Sequence, residues 1–306
     1  MSNRPSPQSN GMKPSVLGSL MTSENVVRLF FLFWSLIVMV PLLVLFAYSF
    51  FETKNFATIY KPTMTTWYSL FDSGRLEVTV RTLRIALTVT LIAFVIAFPF
   101  SLWLAKGTRN KTTKAIVLAL LTIPFFLDLS SRIIIWRSVL SNTGLINYVF
   151  LNLGLTKEPI DWLLYNEWSV HFGMLVTYFP TMVLPIYMAI TIIDDSLIAA
   201  SGDLGASPAQ TLFKIIVPLS LPGILTGFIL TLGPAIAAWI EPSMLGGGFV
   251  NLLSNSVESA YTALKYPVVA ALSSFVMLLL GILVVALGLL TRRLGGFGSV
   301  FAVLRS

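Results

Sequence analysis

Five uncharged runs dominate this chain, at residues 29 to 51, 85 to 105, 168 to 193, 215 to 240 and 266 to 291. Each meets or exceeds the roughly 20 residues that an α-helix needs to cross the hydrocarbon of a bilayer. A sixth span is less clean. Residues 115 to 127 are apolar but then meet Asp128 and Arg132. To cross, this segment must run on through both ionisable positions to about Trp136, and a re-entrant hairpin is the competing reading. At 56% hydrophobic and 11% charged residues, the chain has too few charges to solvate a globular surface and too much apolar material for one soluble core. The expected fold is an all-α integral membrane protein of six transmembrane helices.

Lysines and arginines near the helix ends orient the spans. With the N-terminus inside, Lys106, Arg109, Lys111 and Lys114 fall in one short cytoplasmic loop, and Arg292 and Arg293 close the last helix on the same side. The loop around Asn255 carries only Lys265. Arg75, Arg81 and Arg84 oppose the rule, which suggests a helix lying along the outer interface. Both termini are therefore expected in the cytoplasm. The net charge of +7 reflects this orientation rather than nucleic-acid binding, because the basic residues sit at helix ends instead of forming one patch.

Residues 1–24 are rich in Ser, Pro, Asn and Gly without apolar periodicity and are expected to be a disordered cytoplasmic tail. They do not resemble a signal peptide. The six-helix domain is expected over 25–293, with a cytoplasmic tail at 294–306. The chain contains no cysteine and one histidine, His171. Disulfides, thiolate or histidine metal clusters and catalytic triads are thereby excluded. His171 is expected to be interfacial, at the outer end of the fourth span.

Between the fourth and fifth spans lies a polar interruption, residues 194–218. Gly205 is suited to the positive φ that ends a helix, and Ser207-Pro208-Ala209-Gln210 reads as the capped start of another. Ser207 supplies the N-cap oxygen, Pro208 sits where no amide is needed, and Gln210 can reach back to the cap. Ala209, Leu212, Phe213 and Ile216 recur at the spacing of one helical face, with Gln210, Thr211 and Lys214 off it.

The order Ala199-Ala200, Gly205, Ile215 and Val217-Pro218 closely resembles the EAA loop of ABC importer permeases. In that family an acidic residue, two small residues and a glycine precede Ile-x-Leu-Pro. Ala199 stands where the family usually has Glu, and Ser201 where a second alanine is usual. Residues from about Arg81 to Arg292 resemble the spermidine/putrescine branch of these binding-protein-dependent, type I permeases. Pro124-Phe125 with Arg132, Asn142 to Leu155, Tyr178-Phe179-Pro180 and Leu184-Pro185-Ile186-Tyr187 carry this likeness. So do Ile193-Asp194, Asp203 to Ser207, and Leu245-Gly246-Gly247.

The resemblance implies a non-catalytic permease subunit with the type I importer fold. It would pair with a second, related six-helix permease between an external solute-binding protein and two copies of a cytoplasmic ATPase subunit. It would bind no cofactor itself, ATP and Mg being held by the ATPases, since no phosphate-binding G-x-x-x-x-G-K-[ST] stretch is present. The loop would couple to the ATPases through Ala199, Ala200, Asp203, Gly205, Ser207, Phe213, Ile215 and Pro218. Its motion would rotate the attached helices, with Pro180, Pro185, Pro222 and Pro234 as candidate points of flexure.

An ionisable side chain within a span costs on the order of 3 kcal/mol or more and is a functional candidate by default. Asp128 and Arg132 stand at i, i+4, so they can neutralise each other on one helical face. The alternative is that Asp128 helps pass a cation while Arg132 holds the fold near the outer gate. Glu241, beside Trp239 at the end of the fifth span, is the other carboxylate near a path. Relatives often carry an acid where Ser243 stands here, so either Glu241 replaces it or the solute is not a polyamine. Tyr178 and Tyr187 could offer aromatic faces to ammonium groups. An ABC permease for another small organic solute remains open. From another class, so does a secondary transporter or channel working without ATPases, although that protein would have no reason to keep a capped helix pair with this spacing.

Overall fold

The computed structural model describes residues 23–54, 57–72 and 74–293. The expected tails at 1–24 and 294–306 lie almost wholly outside the described residues. Helix α1 (Ser23–Tyr48) is followed by a two-stranded antiparallel hairpin, β1 (Glu52–Lys54) and β2 (Ala57–Ile59), in which Thr53 pairs with Thr58. Then come α2 (Thr65–Asp72), α3 (Arg75–Leu102), α4 (Lys111–Thr122), α5 (Leu129–Leu140) and α6 (Leu145–Asn152). The second half comprises α7 (Glu167–Ile192), α8 (Asp195–Asp203), α9 (Pro208–Thr211), α10 (Val217–Ile236), α11 (Ile240–Leu245), α12 (Leu253–Thr262) and α13 (Tyr266–Arg293).

Five helical segments are long and apolar enough to span a bilayer, namely Val27–Tyr48, Arg75–Gly107, Glu167–Ile192, Pro208–Ile236 and Tyr266–Leu289. The sixth segment is not the continuous helix expected through Trp136. It is a pair, Lys111–Phe126 and Leu129–Asn152, bent by 104°, the geometry of a broken span or of the competing re-entrant hairpin. Pro124 starts a 3-10 turn over Ile123–Phe126, and the chain then extends at Leu127 (φ −97°, ψ 137°). Asp128 restarts the helix as its N-cap, its carboxylate accepting from the Ser131 amide at 3.1 Å. A proline that cannot continue the hydrogen-bond ladder and a short acid that competes for the next amides together break the span.

The three outer arginines also differ from expectation. They do not lie on a separate interfacial helix, because α3 itself begins at Arg75 and carries them up its outer turns. Arg81 pairs with Glu77 at 3.3 Å and Arg84 with both oxygens of Glu167, the longer contact being 2.6 Å. Two of the three charges that opposed the orientation rule are thus matched by neighbouring acids.

Helix α7 is central, packed against α3 and α10. Near its outer half, Val170, Met174 and Tyr178 meet Ile85 and Val89 of α3, Ile133 of α5, Leu232 and Ile236 of α10, and Leu245 of α11. Towards its C-terminal end, Met182, Ile186 and Ile190 pack with Ala93, Ala97 and Leu104, and with Ile216 and Ile224. Small residues let α7 and α10 approach. A Cβ on Gly223 would stand 2.5 Å from the Pro185 carbonyl oxygen, and one on Gly227 would stand 2.9 Å from Met182 Sδ. Lipid offers no hydrophobic gain for bringing two helices together, so close backbone packing of this kind supplies the attraction. Hydroxyl contacts add to it, with Thr181 and Thr231 joined at 3.2 Å and Tyr178 donating to the Pro234 carbonyl at 3.3 Å.

Candidate functional site

The polar loop folds as a helix pair. Asp194 caps α8 by accepting from the Ser196 amide at 2.9 Å. That bond is the main reason its carboxyl titrates below the ordinary value of 3.8. At the other end of α8, the Gly205 amide reaches the Gly202 carbonyl at 2.9 Å and the Ala206 amide reaches Ser201 at 3.0 Å. This paired closure needs a left-handed residue, and Gly205 supplies it at φ +77°. The capping box then forms as the spacing predicts. Ser207 Oγ accepts from the Gln210 amide at 3.3 Å, Gln210 Oε1 accepts from the Ser207 amide at 2.8 Å, and Pro208 takes the first helical position.

The buried face of the second helix is the predicted one at Leu212 and Ile216, which pack on the core, but not at Ala209, Thr211 and Phe213. Thr211 and Ile216 are buried, whereas Ala209 and Phe213 are exposed. Residues Leu212–Ile216 form a π turn, and its wider i→i+5 closure shifts the facing of every following side chain. Ser201, one of the departures from the family pattern, has a partner in the residue just before this turn, its hydroxyl meeting Thr211 Oγ1 at 2.8 Å in a buried contact between the two helices. Ala199, Ala200, Asp203, Gly205, Ser207, Phe213 and Pro218 are exposed, and Ile215 is half-buried. Leu204, 88% exposed, and Phe213, 69% exposed, leave apolar surface on the exposed side of the pair.

One anchor of this loop went unnoticed in the sequence. Lys106, counted there only as an orienting charge, donates to the Ile193 carbonyl at 2.5 Å and to Asp195 Oδ1 at 2.6 Å. It sits in a second π turn, Trp103–Gly107, at the C-terminal end of α3. Lys114 donates back to the Ala105 carbonyl at 2.8 Å. The adjacent Asp194-Asp195 pair at a helix start was the available signal, but its basic partner lies 89 residues away in the chain.

The candidate path residues do not form one cluster. No ion pair joins Asp128 to Arg132 among the described residues, because Asp128 is spent as the N-cap of α5. Arg132 instead interacts electrostatically with Glu241 and Tyr178. Glu241 is wholly buried on α11 with neither carboxylate oxygen hydrogen-bonded, and Arg132 Nε is buried without a partner. Half-buried Arg132 and buried Glu241 thus lie near each other in the packing of α5, α7 and α11 without an ion pair among the described residues. Tyr178 (7% exposed) and Tyr187 (9%) are also within the helix packing. Trp239, 46% exposed, faces elsewhere, into a cavity that it shares with Glu258 and Tyr261. Ser243, where an acid was expected, donates to Glu258 Oε2 at 3.3 Å. His171 bridges α3 and α7, contacting Thr88 Oγ1 at 2.8 Å and the Glu167 carbonyl at 2.6 Å.

A bundle of long apolar helices with a capped polar helix pair is the architecture of a transport-system membrane subunit, and residues 97–296 match the family model described as "Binding-protein-dependent transport system inner membrane component". The chain belongs to that family. It is 31% identical over 264 residues to the spermidine/putrescine transport system permease protein PotB of Salmonella typhimurium (strain SL1344), covering 85% of this chain and 91% of that one. To PotB of Escherichia coli (strain K12) it is 32% identical over 251 residues, covering 81% and 90%. The fold matches a chain in the crystal structure of a bacterial alginate ABC transporter in complex with alginate pentasaccharide-bound periplasmic protein. There the TM-score is 0.72 at 18% identity, over 88% of this chain and 93% of that chain. The protein is a multi-pass inner-membrane, non-catalytic permease subunit of an ABC importer, and its family implies an ATPase and a substrate-binding protein as partners.

Proposed function

We propose that this permease imports polyamines, spermidine or putrescine, from an external PotD-like binding protein to the cytoplasm. The observation that carries the reading is the 31–32% identity to PotB proteins, sustained over more than four-fifths of the chain. Of the two copies of the ATPase subunit, which carry ATP and Mg, one docks on the exposed side of α8 and α9 and the other on the second permease. A related, PotC-like permease completes the membrane pair, and both termini of this chain lie in the cytoplasm. ATP-driven closure of the ATPases pushes the helix pair, and the Lys106–Asp195 contact passes the displacement to α3 while the continuous backbone passes it to α7 and α10. Prolines at 180, 185, 222 and 234 interrupt the ladders of those last two helices and ease their bending. Tyr178, Tyr187 and Glu241 meet solute only when these helices move apart, whereas Trp239 is accessible without such movement.

The complex reconstituted with its ATPase, second permease and binding protein tests this. Spermidine or putrescine, supplied with the binding protein, should stimulate ATP hydrolysis severalfold. No stimulation by either, with stimulation by another small organic solute, would remove the polyamine assignment and leave the permease intact.

A further inference from the structure

Beyond the outer end of α10, Trp239 leads into α11, and α12 and the first turns of α13 enclose a cavity of about 640 Å³. That volume is within the roughly 300–1,000 Å³ of small-molecule sites. Its wall carries a single charged side chain, Glu258, and no lysine or arginine. Trp239 and Tyr261 add aromatic surface, Ser254, Thr262 and Ser273 add hydroxyls, and valines at 257, 269 and 276 line the rest. The carboxylate is held in place. Asn255, 8% exposed, donates from Nδ2 to the Trp239 carbonyl at 3.1 Å and to Ser243 Oγ at 2.7 Å, and Ser243 donates onward to Glu258 at 3.3 Å. Asn255 Oδ1 meanwhile accepts from the Leu252 amide at 3.1 Å, so the relay is anchored to the start of α12.

One fixed carboxylate, two aromatic side chains and an apolar wall without a cation match the chemistry of a primary ammonium on an alkyl chain. An anion would find no donor of charge there. We infer that Glu258, with Trp239 and Tyr261, receives one ammonium group of the transported polyamine while its methylene arm lies along the valines. Asn255 and Ser243 are positioning residues for that carboxylate. This rests on the polyamine reading above, but the site can be tested apart from it.

The chain has no cysteine, so Thr262→Cys places a single reporter thiol on the cavity wall. In the assembled complex it is labelled with methanethiosulfonate reagents bearing either an ammonium or a sulfonate, and modification of this chain is followed by mass spectrometry. Relative to the ratio for a free thiol, the ammonium reagent should be favoured at least tenfold. Adding Glu258→Gln, which conserves shape, should abolish that preference, and spermidine should slow labelling severalfold while Glu258 is present. A free-thiol ratio with Glu258 in place overturns the cation site. A strong ammonium preference that neither spermidine nor putrescine slows overturns the polyamine occupant and leaves a cation site standing.

Discussion

At Gly205 a side chain would meet no atom within 4 Å, yet the backbone stands at φ +77°. The left-handed region costs L residues roughly 1–2 kcal/mol, with β-branched residues worse and asparagine more tolerant. Gly205→Val should therefore leave the spans folded and cut solute-stimulated ATP hydrolysis at least tenfold, while Gly205→Asn should fall between Val and wild type. Equal activity of all three would remove the turn from the coupling mechanism. Within the loop, Ser201→Ala removes the hydroxyl bond to Thr211, which keeps its own bond to the Ser207 carbonyl at 3.3 Å, a loss of about 0.5–1.5 kcal/mol. It should lower the protease resistance of the loop, and unchanged resistance would show that this contact does not hold the two helices together. Deeper in the membrane, Arg132→Gln leaves the buried Glu241 without its opposing charge. Taking a nearby positive charge away from a buried carboxylate is destabilising, so the thermal midpoint of the complex should drop. Arg132→Gln with Glu241→Gln should restore most of it, and no restoration would show that the two side chains are not coupled.

At the scale of elements, the Lys106–Asp195 contact ties the end of α3 to the start of α8. Asp195 is 83% exposed and Lys106 only 18%, so the pair itself contributes no more than about 1 kcal/mol, and its value lies in registering two elements. Asp195→Asn should lower coupled activity without displacing the ATPase, measured as solute-stimulated hydrolysis in co-purified complexes. The cap at Asp194 sets a pH expectation. Its depressed carboxyl pKa means that its stabilising contribution is present above the unfolded value and is lost as pH falls through the lower folded one. ATPase association should therefore be indifferent to this group between about pH 5 and 8, and loss of binding on mild acidification would implicate another residue.

The start of the second loop helix was legible because a capping box is written in neighbouring residues, Ser207, Pro208 and Gln210, and the α8 turn because only glycine accepts the φ at 205 cheaply. The five clean spans were legible for the same kind of reason, as length and apolarity are local properties. What escaped was set by tertiary context or by competition between local signals. A π turn at 212–216 has no composition of its own, and the predicted face keeps Leu212 and Ile216 inside but leaves Phe213 exposed. Pro124 and Asp128 together broke a span that hydropathy alone carried onward. Glu258 carried no signal of its own in the sequence, because its contact with Ser243 spans 15 residues and depends on how α12 packs.

For the molecule as a whole, the topology follows from helices and charges together. None of the most apolar window of α1 is buried within the chain, so lipid or a second subunit must cover it. Single cysteines at two well-exposed positions read the orientation: Leu204→Cys on the coupling loop should resist a membrane-impermeant maleimide in intact cells, and Lys157→Cys, between α6 and α7, should react. The reverse pattern would overturn the assignment of inside and outside. The central claim, that this chain is the coupled membrane path of a polyamine importer, is tested most directly by uptake. Proteoliposomes holding the complete complex, with ATP on the ATPase side and binding protein on the other, should accumulate radiolabelled spermidine or putrescine, and should stop without ATP or with Gly205→Val in this chain. Accumulation that continues without ATP, or no accumulation of either polyamine by the wild-type complex, would contradict it.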